Sequence, residues 1–436
     1  MIKIRRLAQY CIFALIMLVS APPPLAQESA DKSASLTRLM QLAIENNAML
    51  AAQRAQLAAA SETDDIAKAG LLPQLNMGVE RPVHSDFSAR KNRTFMSLSQ
   101  QLFNLPLKLN YESALWTVRV AESIYLAQEQ NLQLSVIAAW LDLQQASDLV
   151  RLTETRFTVA RTQLTRAEAF AEAGAGTRVD VLEAQAFLAR VRADLLQYQQ
   201  DEELAQDALR ELTALRGQRM RLTGKESNFP LLAAQDDWLL RVQQGSHLVA
   251  AARAELEADV LLSQSAKTAL FPRLSISART EASGSLDNHR EEVVLALEQS
   301  LYSGGEIWAK HRRLKQNIIV ARENLRAVED NIIRQSSRLH RQATAARAQA
   351  EAFKSAEASS AAALEAEETG YANGVRTAAD VLDAEEALFD TRLQLRRARY
   401  DYLRHIAGLF ALSGELDDDF VIQLENLFNM EREENH

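Results

Sequence analysis

The segment Gly374-Val375-Arg376-Thr377-Ala378-Ala379-Asp380-Val381-Leu382-Asp383-Ala384 has a counterpart that begins at Gly174 and ends with Asp180-Val181-Leu182-Glu183-Ala184. The two segments lie 200 residues apart (374 − 174). Three other pairs recur in the same order at an offset of 199 residues: Arg54–Leu57 with Arg253–Leu256, Leu72–Leu75 with Phe271–Leu274, and Gln100–Phe103 with Gln299–Tyr302. Ordered matches at one spacing indicate an internal two-fold repeat.

Each copy of the repeat is predicted to run helix, strand, loop, strand, long helix, turn and helix. Four segments alternate apolar with polar or small residues, the period of a strand with one exposed face. They are Leu75–Val79, Met96–Leu102, Leu274–Ala278 and Leu295–Leu301. The polar stretches Pro82–Arg93 and Glu281–Glu292 are the predicted loops between these strands.

The predicted helices are unusually long. No Gly or Pro interrupts Leu107–Ala173 or Glu306–Thr369, so each could extend roughly 100 Å. Shorter unbroken runs follow at Thr177–Arg216 and Val375–Ala407, roughly 50–60 Å each. The low content of Gly (14), Pro (8) and aromatic residues (6%) agrees with a mainly helical chain.

The first long helix carries two neighbouring apolar stripes. Such a helix is predicted to pack on two sides, in a layer of parallel rods. The stripes are Val136, Trp140 and Leu143, and Leu134, Ile137 and Leu141.

The turn between the long and the short helix of each copy is specified by local residues. Gly174 and Gly374 suit the left-handed position after a helix end. Thr177–Asp180 and Thr377–Asp380 have the spacing of a capping box, in which Thr and acid satisfy the first amides of a helix. Both turns are therefore predicted to be helical hairpin tips.

The N-terminus has the order of a secretory signal peptide. Lys3, Arg5 and Arg6 precede the apolar run Cys11–Val19, and small residues follow up to Ala26. We expect cleavage after Ala26 and export of the rest; the alternative is a buried amphipathic helix. Because the only cysteine is Cys11, the mature chain is predicted to have no lipid anchor, disulfide or thiolate metal site.

The composition argues against an enzyme and against nucleic-acid binding. The formal net charge is −9, and basic residues alternate with acids along the helices, which is typical of solvated faces; Glu365, Glu367 and Glu368 are assigned to such a face. Gly224-Lys225 lacks the residues of a phosphate loop, and the seven histidines are scattered without metal-ligand spacing. No cofactor or metal site is predicted.

Four strands cannot close a transmembrane barrel, since the smallest have about eight. An open sheet edge in lipid would leave backbone groups unpaired. An exported chain with alternating segments and no apolar run long enough for a spanning helix therefore fits a barrel built from several chains. A soluble hairpin that caps a helical rod would give a similar pattern.

The segment Tyr371–Ala384, followed by Ala398–Leu403, closely resembles the C-terminal helix-tip motif of TolC-like outer-membrane export proteins. Leu301–Gly305 resembles the strand-to-helix junction of that family. The resemblance covers the chain from about Leu36 to about Leu416. It implies a homotrimer, with four strands per chain in a twelve-stranded outer-membrane barrel, continued across the periplasm by a trimeric α-barrel of long antiparallel helical hairpins.

The resemblance also implies roles for residues at the tips. Asp380 and Asp383 match acids that line the constriction, so three chains would supply a ring of six carboxylates. Tyr371 and Arg376 match positions that help to hold the tip closed, and Asp180 matches their acidic partner region in the first copy. Capping alone would explain Asp180 and Asp380, but it does not explain Asp383.

One position departs from the family pattern. Val179 occupies a place where the family has a hydroxyl-bearing residue. The closing network is therefore expected to be weaker or differently connected in this chain.

The chain is accordingly divided into a signal peptide (1–26), repeat 1 (27–216), an equatorial linker (217–244), repeat 2 (245–410), and an equatorial segment with an acidic tail (411–436). The linker and the tail after Gly408 are expected to be less regular than the repeats.

The predicted function is a passive outer-membrane channel-tunnel of an efflux pump or type I secretion system. Its expected partners are a periplasmic adaptor, an inner-membrane transporter and outer-membrane lipid. The alternative is a periplasmic or surface coiled-coil scaffold or adhesin without a pore.

Overall fold

The computed structural model describes residues 35–81, 93–174, 176–214, 232–283 and 289–429. Its elements, in chain order, are α1 Leu36–Asn46, α2 Ala48–Ala69, β1 Gln74–Glu80, β2 Arg93–Phe103, α3 Leu105–Glu172, α4 Arg178–Thr213, α5 Gln235–Gly245, α6 His247–Thr268, β3 Arg273–Ser283, β4 His289–Glu298, α7 Glu306–Ala372, α8 Ala378–Ser413 and α9 Asp418–Asn429. The predicted signal peptide (1–26) lies outside the described residues.

The four predicted strands form one antiparallel sheet in the order β1-β2-β3-β4. Three predicted strand ends, all on β3 and β4, were wrong. The strands β3 and β4 extend into the predicted loop Glu281–Glu292, because the register continues to pair Arg279 with Glu292 and Glu281 with Arg290, and such opposite charges support cross-strand pairing. At its other end β4 stops at Glu298, before the predicted Leu301.

The two faces of the sheet differ in chemistry. The register pairs Leu75 with Leu98, Leu98 with Ala278, and Ala278 with Val293, so these residues share one face. The edge strands present large apolar side chains on this face, each at least 64% exposed: Leu75, Met77 and Val79 on β1, and Val293, Leu295 and Leu297 on β4. A sheet face this rich in exposed large apolar side chains needs a cover.

The helices α3 and α7 are single uninterrupted helices of 68 and 67 residues, as predicted. The helix α3 begins at Leu105, two residues earlier than predicted, because Pro106 is tolerated in a first turn. Asn104 caps this turn by accepting the amide hydrogen of Leu107 at 3.2 Å.

Two helices continue through glycines at which the sequence predicted that they would end. The helix α7 continues through Gly370, and α8 continues through Gly408 to Ser413. At Gly408 an added Cβ would lie 3.2 Å from Cδ1 of Leu339 on α7, so the glycine lets the two helices approach closely. A glycine inside a helix costs only about 1 kcal/mol relative to alanine, and packing can offset that cost.

The predicted irregular segments also contain helices. The helix α5 begins inside the predicted linker 217–244 and ends one residue beyond it, and α9 follows α8. Their rings meet: Trp238 of α5 packs edge-on against Phe410 of α8 at 5.0 Å, and Phe410 contacts Phe420 of α9 at 4.3 Å between centroids. These aromatic contacts hold the two segments in place as helices. The sequence did not predict the helices because neither segment contains a long unbroken helical run.

The largest core lies where α1, α3, α4, α7, α8 and α9 pack together with the start of α2, and both predicted stripes of α3 belong to it. Five of the six stripe residues are buried, and Leu134 is partly buried against them. Toward the sheet, α2, α6 and α3 pack side by side with α7; away from it, the hairpin α3–α4 packs on the hairpin α7–α8. The described helices include none long and apolar enough to cross a membrane.

Candidate functional site: the helix tips

The turn between α3 and α4, residues 167–174 and 176–183, is called the first tip. Gly174 adopts a φ of 71°, which an L-residue rarely adopts. Thr177 Oγ1 accepts the amide hydrogen of Asp180 at 3.2 Å, and Asp180 Oδ2 accepts from the amide and hydroxyl of Thr177 at 2.7 and 2.9 Å. The predicted capping box is confirmed.

The turn between α7 and α8, residues 367–383, is called the second tip and repeats this geometry. Gly374 has a φ of 74°. Asp380 Oδ2 accepts from the amide and hydroxyl of Thr377, both at 2.8 Å. The backbone amide of Thr377 contributes most to lowering the pKa of Asp380, and the Thr377 hydroxyl and the charge of Arg376 add to it.

Asp383 lies one turn after Asp380 on α8 and is exposed. The capping box does not engage it, so its carboxylate is free to face solvent. Glu385, two residues further on, is in a different setting: burial raises its pKa, the neighbouring Glu368 raises it further, and Arg156 and Arg392 oppose both effects.

Tyr371 connects the two tips. Its ring packs against Phe170 of the first tip, with 5.8 Å between centroids. Burial raises the pKa of Tyr371, the charge of Asp180 raises it further, and Arg166 lowers it. Two of the three residues assigned to the closing network, Tyr371 and Asp180, are thus brought into one neighbourhood.

Arg376 is held within its own hairpin. Its Nε lies 3.0 Å from Oε2 of Glu367, and its side chain is 53% exposed. The assignment of Glu367 to a solvated face was wrong, because only 24% of this side chain is exposed. Within one chain, therefore, Arg376 is engaged by Glu367, and Asp180 by Thr177.

Arg156 of α3 forms a buried cluster above the tips that the sequence analysis did not identify. Its side chain is 8% exposed, its guanidinium carbon lies 4.1 Å from the ring centroid of Phe389 and 5.1 Å from that of Phe187, and Nη1 lies 3.5 Å from Asp194. These partners belong to α8 and α4, so Arg156 joins three helices. Cations over aromatic faces are stabilised most when water is excluded.

Polar contacts continue this junction of α3 and α8 away from the tips. The Tyr400 hydroxyl donates to Asp148 at 2.5 Å, and Arg404 Nη2 donates to Asp142 at 2.6 Å. The two hairpins are therefore joined at several levels along their length, and the two tips lie at the same end of one packed helical bundle. No three His, Cys, Asp or Glu side chains among residues 35–429, gaps excepted, are placed to hold a metal ion.

The sequence model of the family described as "outer membrane efflux protein" matches residues 39–215 and 238–415. The chain belongs to this family. Outer membrane efflux proteins are channel and transport proteins of the outer membrane.

Individual members of the outer membrane efflux family match along nearly the whole chain. The outer membrane protein TolC of Vibrio cholerae serotype O1 is 25% identical over 412 residues, 91% of this chain and 94% of the relative. The alkaline protease secretion protein AprF of Pseudomonas aeruginosa is 27% identical over 417 residues, 86% of this chain and 84% of AprF.

Solved structures share the fold. CusC superposes with a TM-score of 0.76 at 18% identity, covering 90% of this chain and 96% of its own. The outer membrane protein VceC of Vibrio cholerae gives 0.72 at 19% identity, covering 88% and 97%. The long hairpins and the four-stranded sheet are therefore the family architecture.

Proposed function

We propose that three copies of this chain form an outer-membrane channel-tunnel that carries cargo from an inner-membrane transporter and a periplasmic adaptor to the exterior. The observation that carries the proposal is the combination of an open four-stranded sheet, apolar on one face, with two helix tips that present carboxylates about 100 Å away along α3 and α7. A channel-tunnel needs both a barrel in the membrane and a distant end that can be narrowed.

The sheet supports the barrel. The edges of β1 and β4 have no partner strand within the described chain, and an edge in lipid must be paired. Pairing β4 of one copy with β1 of the next, three times, closes twelve strands with the apolar faces outward. Repeat 1 (27–216) and repeat 2 (245–410) have the same order of elements. Each repeat supplies one pair of strands and one helical hairpin, so each chain supplies two of each.

The second tips form the constriction in this proposal. Asp380 and Asp383 of three copies make a ring of six carboxylates, and a narrow mouth of low dielectric focuses their field. Such a ring favours cations and offers multivalent cations a blocking position. The packing of Tyr371 on the first tip, near Asp180, holds the resting tip closed until an adaptor draws the hairpins apart. The pair of Arg376 with Glu367 fixes the turn that carries Tyr371.

The relatives support two kinds of cargo. AprF and PrtF are named for protease secretion, and BepC is named an efflux protein. The same duct therefore serves a type I secretion system or an efflux pump, and the inner-membrane partner sets the cargo. Residues 1–26 direct export and are removed, and no lipid is attached because the mature chain has no cysteine.

Disulfide cross-linking tests the assembly directly. One cysteine replaces Asn76 on β1 and another replaces Glu292, Val294 or Ala296 on β4, all on the polar face. Oxidation of outer membranes should give covalent dimers and trimers for at least one pair, since neighbouring strands bring Cα atoms within disulfide reach. Asn76→Cys with Ser97→Cys is the matched control, because these direct partners lie in one chain and should give only monomers.

The scaffold or adhesin alternative predicts otherwise. It requires no contact between β1 and β4 of different copies, and no partition with outer membranes. Absence of cross-linked trimers from all three pairs, in protein whose control pair oxidises normally, would overturn the proposed barrel.

A further inference from the structure

The polar face of the sheet carries most of its charges at the end away from the helices; at the helix end it has one ion pair, Arg273 with Glu298, 3.8 Å apart. Near the helices this face presents Gln74, Ser99 and Ser277, which share it through their register. Toward the opposite end six charged residues follow, here called the charged band: Glu80, Arg93, Arg279, Glu281, Arg290 and Glu292. Three are basic and three acidic, so the band is neutral as a whole.

Arg279 lies at the centre of the band. Its Nη2 is 3.7 Å from Oε1 of Glu80 and 3.7 Å from Oε2 of Glu281. The other oxygen of Glu281 is 3.5 Å from Nε of Arg93. Two arginines and two glutamates of β1, β2 and β3 thus form one connected network, in which Arg279 contacts both glutamates.

The guanidinium of Arg279 lies over an aromatic ring on the same face of the sheet. Its Cζ lies 4.2 Å from the ring centroid of Phe95, and the Phe95 ring in turn covers Gly78. A Cβ at Gly78 would lie 2.7 Å from Cζ of Phe95, so only glycine leaves room for the ring. Gly78 thus makes room for the Phe95 ring, and this ring in turn positions the charged group of Arg279.

We propose that the charged band sets the charge selectivity at the outer end of the duct. In this exit filter the positive charge of Arg279 balances the acids, so that solutes of either charge pass. This inference rests on the proposed function, because closing the barrel with the apolar face outward puts the band in the lumen. Exposed ion pairs add little to stability, but charges around a confined aqueous path set which ions enter it. The filter is separate from the carboxylates of the tips.

The test measures the reversal potential of purified protein in planar bilayers under a potassium chloride gradient. The reference protein carries Asp380→Asn and Asp383→Asn, which remove the tip charges and leave the band to determine selectivity. In this reference we expect weak selectivity. Arg279→Gln should raise the ratio of cation to anion permeability several-fold, and Glu80→Gln with Glu281→Gln should lower it below that of the reference.

Two controls separate charge from structure. Glu291→Gln removes an acid at a similar height on the apolar face and should leave the ratio unchanged. Arg279→Lys keeps the charge without the planar ring contact and should keep the reference ratio.

Opposite shifts for the basic and acidic changes support the filter. Reversal potentials unchanged in both arms, or shifted in the same direction, overturn it, and if one variant forms no channels the other arm still decides. If the reference and the parent protein form no channels at all, the proposed function itself fails.

Discussion

The two tips have the same turn but different surroundings. Both have a glycine of positive φ and a Thr–Asp capping box with nearly equal hydrogen-bond distances. At the offset of 200 residues, however, Glu367, Tyr371 and Arg376 of the second tip replace Ala167, Ala171 and Gly176 of the first.

This difference separates two tasks. The capping residues set the turn and serve both tips alike. The ion pair of Arg376 with Glu367 and the ring contact of Tyr371 with Phe170 occur because only the second tip has the side chains for them. The second hairpin is therefore the one whose tip is tied down, and we infer that it is the one that moves on opening.

The largest effect is expected from removing the ion pair of Arg376 with Glu367 in the second tip. Arg376→Gln should raise the resting conductance several-fold, because the ion pair that spans the turn from Glu367 to Arg376 is lost and Tyr371, within that turn, is held less firmly against Phe170 of the first tip. Single-channel recording measures it. Arg178→Gln makes the same charge change at the first tip and should leave conductance near the parent value; equal conductance for all three proteins would contradict the role of Arg376.

The next effect concerns the turn itself. Gly174→Ala and Gly374→Ala should each lower the free energy of unfolding by about 1–2 kcal/mol, because an L-residue is strained at positive φ. Apart from the chain neighbours of each glycine, no atom of the described residues lies within 4 Å of a Cβ placed at either site, so backbone strain is the expected cost. Denaturant unfolding checks this. Gly70→Ala, at a φ of −63°, should cost much less, and a similar loss there would contradict the explanation.

Removing one cap should have a smaller effect, equal at the two tips. Thr177→Ala and Thr377→Ala should each lower the free energy of unfolding by about 1 kcal/mol, since each leaves an amide without its acceptor. The same unfolding measurement applies, with Thr→Ser at each position as the control that keeps the hydroxyl. A loss at one tip but not at the other would show that the capping boxes are not equivalent.

The smallest effect is a pH dependence at the second tip. The folded pKa of Asp380 is lowered, so its contribution to stability is present above the ordinary value of about 3.9 and is lost as the pH falls through the folded pKa. Asp380→Asn should flatten the stability profile below about pH 4. An unchanged acid limb in urea unfolding would contradict this.

The sequence predicted what depends on neighbouring residues. The capping boxes and the left-handed glycines are set within a few positions of each other, so their pattern is visible in the chain. Long helices without Gly or Pro were equally visible. The ends of β3 and β4 were not, because cross-strand pairs such as Arg279 with Glu292 extend a strand beyond its apolar alternation.

Contacts between distant residues were harder to predict. Glu367 and Arg376 are joined only because the tip folds back, and the acidic neighbours of Glu367 suggested a solvated face. Arg156 had a usable signal: it falls on the buried stripe of α3 with Leu149, Thr153 and Ala160, and a charge on such a stripe predicts a buried partner. Its partners Phe187 and Phe389 depend on how the hairpins pack.

The central claim is that the second tips form a gated, acidic constriction. Single-channel recordings of the parent, Asp380→Asn with Asp383→Asn, and the first-tip control Glu183→Gln test it, with trivalent cations added from the tip side. We expect cation-selective pores that the trivalent ion blocks in the parent and the control, with block lost in the double variant. Equal block in all three proteins, or no pores from well-folded trimers, would contradict it.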